Sequence, residues 1–176
     1  MERTTNQTAR NRFDTRGNQP PEAREFEEKV IAIDRVSRTV AGGRRMRFRA
    51  LVVIGNRKGK IGMGIGKGNE VVNAIAKANT QARKHLIVVP IKDNTIPFNI
   101  ETSFGSTRLH LKSARPGTSV IAGGVVRQVV ELAGIGNIVA KIYGSTNQIN
   151  SAKAVFAALE ELTNLDAKSQ TSKTSS

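Results

Sequence analysis

The sequence predicts a helix-on-sheet protein built from two small units, and three observations lead there. Arg45-Met-Arg-Phe-Arg-Ala50 alternates with period two and runs into the apolar Leu51-Val-Val-Ile54, the pattern of a strand buried first on one face and then on both. Apolar residues spaced by three and four after Asn69, and again after Asn147, describe two amphipathic helices. Between them, Lys92-Asp-Asn-Thr-Ile-Pro97 gathers turn residues where one unit can stop and the next begin, which places a boundary near residue 93. At 176 residues and 19.0 kDa the chain can hold one ordinary domain or two small ones, each with a modest core of its own.

The first element is a strand from Glu28 to Val40, rich in β-branched residues and closed by the turn signal Ala41-Gly42-Gly43. The second, from Arg45, places Met46, Phe48 and Ala50 on one face and Arg45, Arg47 and Arg49 on the other. Residues 60–67 suit a third strand, with Ile61, Met63 and Ile65 opposite a row of glycines. Asn69 then caps a helix with Glu70 in its first turn, where an acid suits the helix dipole. The stripe Val71, Ile75, Ala78, Ala82 and Leu86 is its buried side, and Asn73, Lys77, Thr80, Gln81 and Lys84 its outer side. Ile87 to Ile91 restarts a strand.

In the second unit Arg108-Leu-His-Leu-Lys112 alternates as a strand and Pro116-Gly117 marks a turn. Val125 to Ala133 is β-branched, yet its Leu-Ala-Gly ending at Gly134 is a helix C-terminus, so a helix is expected there. A strand Ile138–Tyr143 follows, then a last helix capped by Asn147 and striped with Ala152, Val155, Phe156, Leu159 and Leu162. Residues 1–25 are polar and end in a Pro-Pro break, and residues 164–176 are Ser/Thr/Lys-rich, so both are expected to be loose tails. A mitochondrial-type presequence is the rival reading of the first, which lacks an amphipathic pattern.

Twenty-eight Lys and Arg against fourteen Asp and Glu give a net charge of +14, which calls for a polyanionic partner. Nucleic acid leads and an anionic membrane is the weaker reading; no apolar run is long enough to span a bilayer. The absence of cysteine and the separation of the two histidines, His85 and His110, remove disulfides, thiol nucleophiles and a His-based metal cluster or triad. With one Tyr and six Phe, stacking on bases is poorly supplied, so contact with an RNA backbone should dominate.

The cations concentrate where the acids are missing: between Arg35 and Asn69 there are ten Lys and Arg and no carboxylate. Arg45, Arg47 and Arg49, about 7 Å apart along one strand face, repel one another unless an anion lies near. The stretch GNRKGKIGMGIGKGNE, residues 55–70, adds six glycines and the cations Arg57, Lys58, Lys60 and Lys67. Glycines at 42, 43, 55, 59, 62 and 64 can admit phosphate oxygens to the backbone N–H groups, or can serve only tight turns and bulges.

Enzyme frames fail on this stretch. A dinucleotide fingerprint starting at Gly62, Gly64 or Gly66 finds Lys67, Asn69 or Val71 where its third glycine belongs. An ATPase phosphate loop ending at Gly66-Lys67 has Ile61 in place of its first glycine and Gly68 in place of the magnesium-holding hydroxyl. Gly59-Lys-Ile-Gly62 has the form of a KH clamp but is flanked by strands. No catalytic residue, metal or cofactor is expected. A small kinase and a free-standing duplex-RNA adaptor are the rival functions; the kinase has only Glu131 downstream of Gly123-Gly124 as a carboxylate.

Gly43-Arg44, Phe48-Arg49-Ala50, Gly55-Asn56 and Gly59-Lys-Ile-Gly-Met-Gly-Ile-Gly-Lys67, followed by Arg115-Pro-Gly-Thr-Ser-Val-Ile-Ala-Gly-Gly124 and Tyr143-Gly-Ser-Thr-Asn147, resemble the signature of ribosomal small-subunit protein five, of bacterial or organellar type. The resemblance covers residues 25–163 and departs from the family at Ser119, where glycine is usual, and in the density of Arg at 45, 47 and 49. It implies a two-domain α+β protein. Residues 26–92 would be a double-stranded-RNA-binding-like domain, a three-stranded antiparallel sheet with a helix, and residues 93–163 a domain with a left-handed βαβ crossover.

It further implies a structural, non-enzymatic constituent of the cytoplasmic, or organellar, small ribosomal subunit, which binds small-subunit rRNA, steadies head against body and helps set decoding accuracy. Small-subunit proteins four and eight would be its neighbours, with protein three near the mRNA entry path. Residues Val36 to Arg44 match an extended rRNA-reaching hairpin, which adds Arg38, Gly42, Gly43 and Arg44 to the expected rRNA contacts. Phe104-Gly105 through Lys112 match the surface facing protein four, giving Gly105, Arg108 and Lys112 as interface residues.

Overall fold

The computed structural model describes residues 26–174, with side chains placed for residues 26–168. The expected first tail, residues 1–25, lies outside the described residues, as do 175 and 176.

Three strands open the fold: β1 (Glu27–Val40), β2 (Gly43–Gly55) and β3 (Lys60–Gly68). Helix α1 (Val71–Lys84) and a short β4 (Leu86–Val88) follow, and the sheet is fully antiparallel in the order β1-β2-β3-β4. The strand expected over 87–91 is thus shorter and one residue earlier, and it adds a fourth member to a sheet expected to have three. The second half runs β5 (Ile100–Phe104), β6 (Thr107–Ser113), β7 (Val120–Ile121), α2 (Gly124–Ala133), β8 (Ile138–Gly144) and α3 (Gln148–Thr174). Its sheet has the order β5-β6-β8-β7, with β7 and β8 parallel and joined through α2 as a βαβ unit.

Helix α1 sits on the first sheet in a way the expected stripe did not capture. Its buried residues are Ala74, Ala78 and Ala82, while Val71 and Ile75 are half-buried and Leu86 lies beyond the helix. The reason is in β3, where Gly62, Gly64, Gly66 and Gly68 all face α1. A Cβ at Gly64 or Gly66 would strike the main-chain oxygen of Ala78 or Ala74. Small residues on both surfaces bring helix and strand backbones together, and larger side chains are displaced to the flanks. The N-cap position is Glu70, one residue later than expected, and makes no side-chain cap; its carboxylate instead accepts from Asn73 Nδ2 at 3.3 Å.

The other face of the same sheet is covered by the second half of the chain. Val53, Ile61 and Val89 belong to one cluster with Leu109, Leu111, Val129, Leu132, Val155 and Leu159, and Ile31 and Met63 pack against it. The smaller cluster of Ala50, Val52 and Ile54 lies under α1. The expectation of a separate core in each unit is therefore corrected: Leu51-Val-Val-Ile54 is buried on both faces because α1 takes one and the second half takes the other. A bulge between Val30 and Ala32 resets the parity of β1 and turns Ile31 toward this shared core.

The turns follow their residues. Asp93 and Asn94 both take positive φ, 50° and 62°, between Lys92 and Thr95, whose backbones exchange two hydrogen bonds of 2.9 and 3.0 Å. Gly134 ends α2 with φ 90° and donates its N–H to Val130 O and Glu131 O, each at 3.1 Å. Asn147 caps α3, its Oδ1 accepting from Ile149 N at 3.0 Å. Helix α3 then continues through Thr174, past the tail expected from residue 164. No Gly or Pro interrupts it, Leu162 and Asp166 are buried, and Asp166 Oδ1 accepts from Lys92 Nζ at 2.7 Å.

Candidate nucleic-acid interface

Phe48 pairs with Gly68 at the end of β3, and beyond that point β1 and β2 continue alone as a two-stranded ribbon to the turn at Ala41-Gly42. The turn needs glycine, since Gly42 takes φ 88°. On the ribbon Arg38 is the cross-strand partner of Arg45, Val36 of Arg47 and Thr39 of Arg44. Arg35, Arg38, Arg44, Arg45 and Arg47 are all exposed. None is in an ion pair among the described residues. A two-stranded ribbon with Arg38 facing Arg45, and with no further strand paired to it among the described residues, is poorly stabilised by itself. An anionic surface along it supplies the missing interaction.

Arg49 does not share that freedom. Its Nε and Nη2 donate to Asp34 Oδ2 at 3.1 and 2.7 Å, so the row expected to bind anions ends at Arg47 and its third member holds the ribbon base. Lys67 pairs with Arg49 across β2 and β3 and remains exposed. It lines a groove of about 440 Å³ with Arg47, Gly68, Asn69, Asn73 and Lys77. The groove opens beside the N-terminus of α1, where backbone N–H groups lack helical partners. Lys77 and Asn73 were legible only as one side of a helix; what marks them is their packing beside Lys67.

The turn between β2 and β3 is built differently from what its glycines and cations suggested. Asn56 N donates to Lys60 O at 3.1 Å, and Asn56 Oδ1 accepts from Lys58 N and Lys60 N at 2.8 and 3.0 Å. Arg57 N and Gly59 N donate to Leu132 O and Ala133 O of α2 at 2.9 and 2.8 Å. Every N–H from 56 to 60 is thus spent within the protein, and two of them satisfy terminal carbonyls of α2. The Arg57 guanidinium is held by Glu27, with Nε to Oε2 at 2.7 Å and Nη2 to Oε1 at 3.1 Å. That hydrogen bond holds the Glu27 carboxyl below the usual carboxylate range.

This corrects the reading of the glycine row as a phosphate cradle. Gly55 and Gly59 are buried against the backbones of Leu132 and Val89, and Gly62 and Gly64 lie under α1. Gly42 and Gly43 alone of the six have open space around them. The expected rRNA residues also fall into two groups. Arg38, Gly42, Gly43, Arg44, Arg45 and Arg47 lie on the ribbon with Lys67 at its base, whereas Arg57, Lys58 and Lys60 sit at the far end of the 13-residue β2. At about 3.3 Å per residue the tips are ~40 Å apart.

Gly105, Arg108 and Lys112 lie along one turn and strand, with Arg108 and Lys112 about 13 Å apart. Gly105 takes φ 60° in the two-residue turn joining β5 to β6, and Arg108 and Lys112 project from β6 on the side opposite the buried Leu109 and Leu111. Between them, His110 Nε2 lies 2.9 Å from Glu101 Oε1 and its ring meets Tyr143 edge-on at 5.1 Å. This sheet face is polar, cationic and without a covering helix.

An exposed arginine ribbon projecting from a sheet sandwiched between a helix and a βαβ unit is a surface suited to a polyanion. Two family models match the chain: the N-terminal domain of ribosomal protein S5 over residues 26–90 and its C-terminal domain over residues 102–172. The small ribosomal subunit protein uS5 of Chloroflexus aurantiacus is 49% identical over 145 residues, covering 82% of each chain. That of Thermus thermophilus is 51% identical over 138 residues, covering 78% of this chain and 85% of the relative. The chain belongs to the ribosomal protein S5 family, whose members are structural and not enzymes. Among the described residues no helix is long and apolar enough to cross a membrane.

Proposed function

We propose that the chain, a structural constituent of the small ribosomal subunit, binds small-subunit rRNA through the β1–β2 ribbon and the groove at its base. The observation that carries this is the set of exposed arginines on the ribbon, Arg38 directly opposite Arg45 with Arg44 and Arg47 beside them, none of them ion-paired among the described residues. With backbone contacts dominating, each phosphate neutralised releases counterions, so affinity should fall steeply with salt. The shared core beneath the two sheets makes the whole a stiff spacer, suited to holding rRNA of the head and body in one arrangement. Charge reversal at Arg45 and Arg47 tests the reading: binding to small-subunit rRNA should weaken, with the logarithmic salt slope falling by about 0.9 per lost phosphate contact. An unchanged slope removes the ribbon from the interface.

The turn and strand bearing Gly105, Arg108 and Lys112 are the proposed contact with small-subunit protein four, through which the chain influences decoding accuracy near the mRNA path. Proteins eight and three are its further proposed neighbours. Their exposure on one uncovered sheet face supports a protein contact there. Gly105→Asp and Lys112→Glu should each alter misreading in a reporter assay while subunits still assemble. Normal decoding by both variants refutes the contact.

A further inference from the structure

A second groove, of about 650 Å³, opens where α2 begins, far from the arginine ribbon in the chain. Its lining includes Gly123 and Gly124 at the α2 N-terminus, Arg127 and Gln128 one turn on, Lys141 of β8 and Ser151 of α3. The first helical bond is Arg127 N–H to Gly123 O, so the N–H groups of Gly124, Val125 and Val126 precede it and have no helical partner. Gly123 offers no side-chain cap, and no acid stands in the first turn. The positive end of the α2 dipole therefore meets the groove unopposed.

Two further facts point to a ligand there. Ser151 is 2% exposed and its Oγ has no hydrogen-bond partner among the described residues, and Gln128 Oε1 is likewise buried and without one among them. Unmade hydrogen bonds at buried polar atoms are costly and are ordinarily filled. The glycines themselves also lack a reason in the fold. Gly123 has φ −63°, neither residue takes a positive φ, and a Cβ at Gly124 would meet nothing within 4 Å. Elsewhere in this chain a buried glycine answers to a neighbouring backbone; here the missing side chains leave main-chain N–H groups open to solvent.

We propose that this groove binds one ribonucleotide unit: a phosphate seated on the N–H groups at the start of α2 beside Arg127, with a ribose 2′-hydroxyl donating to Gln128 Oε1 and accepting from the Ser151 hydroxyl. The anion satisfies the helix end and Arg127, and the hydroxyl supplies the donor that Gln128 lacks. An rRNA strand and a free nucleotide present the same chemistry. The site is independent of the arginine ribbon, so either can fail without the other.

The test is an NMR titration of the full-length protein at low salt with the ribodinucleotide ApA, its deoxy counterpart, 5′-AMP and inorganic phosphate. ApA or AMP should shift the amide resonances of Gly124 to Arg127, and the deoxy dinucleotide should bind at least tenfold more weakly than ApA. A response to ApA alone identifies a strand as the source; a response to AMP alone identifies a free nucleotide. Gly124→Asp places a carboxylate where a helix tolerates it well and should abolish the shifts with the fold intact. Ser151→Ala should erase the ribose preference, and charge reversal at Arg45 and Arg47 should leave the shifts unchanged. Absence of shifts at 124–127 with every probe overturns the proposal, as does equal binding of ApA, its deoxy form and phosphate.

Discussion

Arg38 and Arg45 are cross-strand partners near the tip of the β1–β2 ribbon, both exposed and neither ion-paired among the described residues. Like charges directly opposite one another in an antiparallel pair are destabilising. The pair therefore sets stability against binding. Arg45→Thr should raise the stability of the free protein at low salt by about 0.5 kcal/mol. The same change should weaken rRNA binding and lower its salt slope by about 0.9. Thermal melts and a salt-dependent binding series on one preparation check both halves.

Gly64 separates the packing account of the glycine row from the phosphate account. A Cβ there would collide with Ala78 O and Ala82 N, both backbone atoms of α1. Gly64→Ala should therefore cost about 3 kcal/mol or more in urea unfolding, because strand and helix must separate. Unchanged stability with weakened RNA binding would restore the phosphate reading.

Ser119 occupies left-handed backbone, φ 63°, with its N–H bonded to Asn137 Oδ1 at 3.1 Å and its carbonyl accepting from Ile138 N at 3.2 Å. These bonds fix the conformation that glycine adopts most freely. Ser119→Gly should relieve more strain than the extra chain entropy costs, for a net gain of about 0.5 kcal/mol. Differential scanning calorimetry should show a Tm raised by about 2 °C.

Glu27 carries the pH dependence that can be assigned. Its folded-state pKa is depressed, first by the hydrogen bond from Arg57, so its contribution to stability is present above the ordinary carboxylate range and lost as pH falls through the lowered value. Glu27→Gln should thus melt below the wild type near about pH 6, and the difference should close as pH falls below the lowered value. A gap that persists at the acid end assigns the effect to packing.

The two-unit order of strands and helices was legible because period two at Arg45–Ala50 and the apolar stripe Ala152–Leu162 are local patterns. So were the chain reversals at Ala41-Gly42, Asp93-Asn94 and Gly134, where the residue type itself permits the backbone. The missed elements, β5 and β7, are short and gain their identity from partners: β7 is a two-residue strand made by pairing with β8. The continuation of α3 was hidden because its Ser/Thr/Lys composition says nothing of Lys92, which meets Asp166 from 74 residues away.

By itself the sequence determined the charge of the protein, the absence of thiol and histidine chemistry, and an arginine-rich strand pair flanked by turns, which together called for an RNA backbone. Tertiary structure decided which cations are free to meet it. Arg49 and Arg57 are equal in sequence to Arg45 and Arg47, but the fold places Asp34 and Glu27 against the first two and, among the described residues, no carboxylate against the others. The glycines were decided the same way: a missing side chain admits whatever backbone lies nearest, and at Gly64 that backbone is α1.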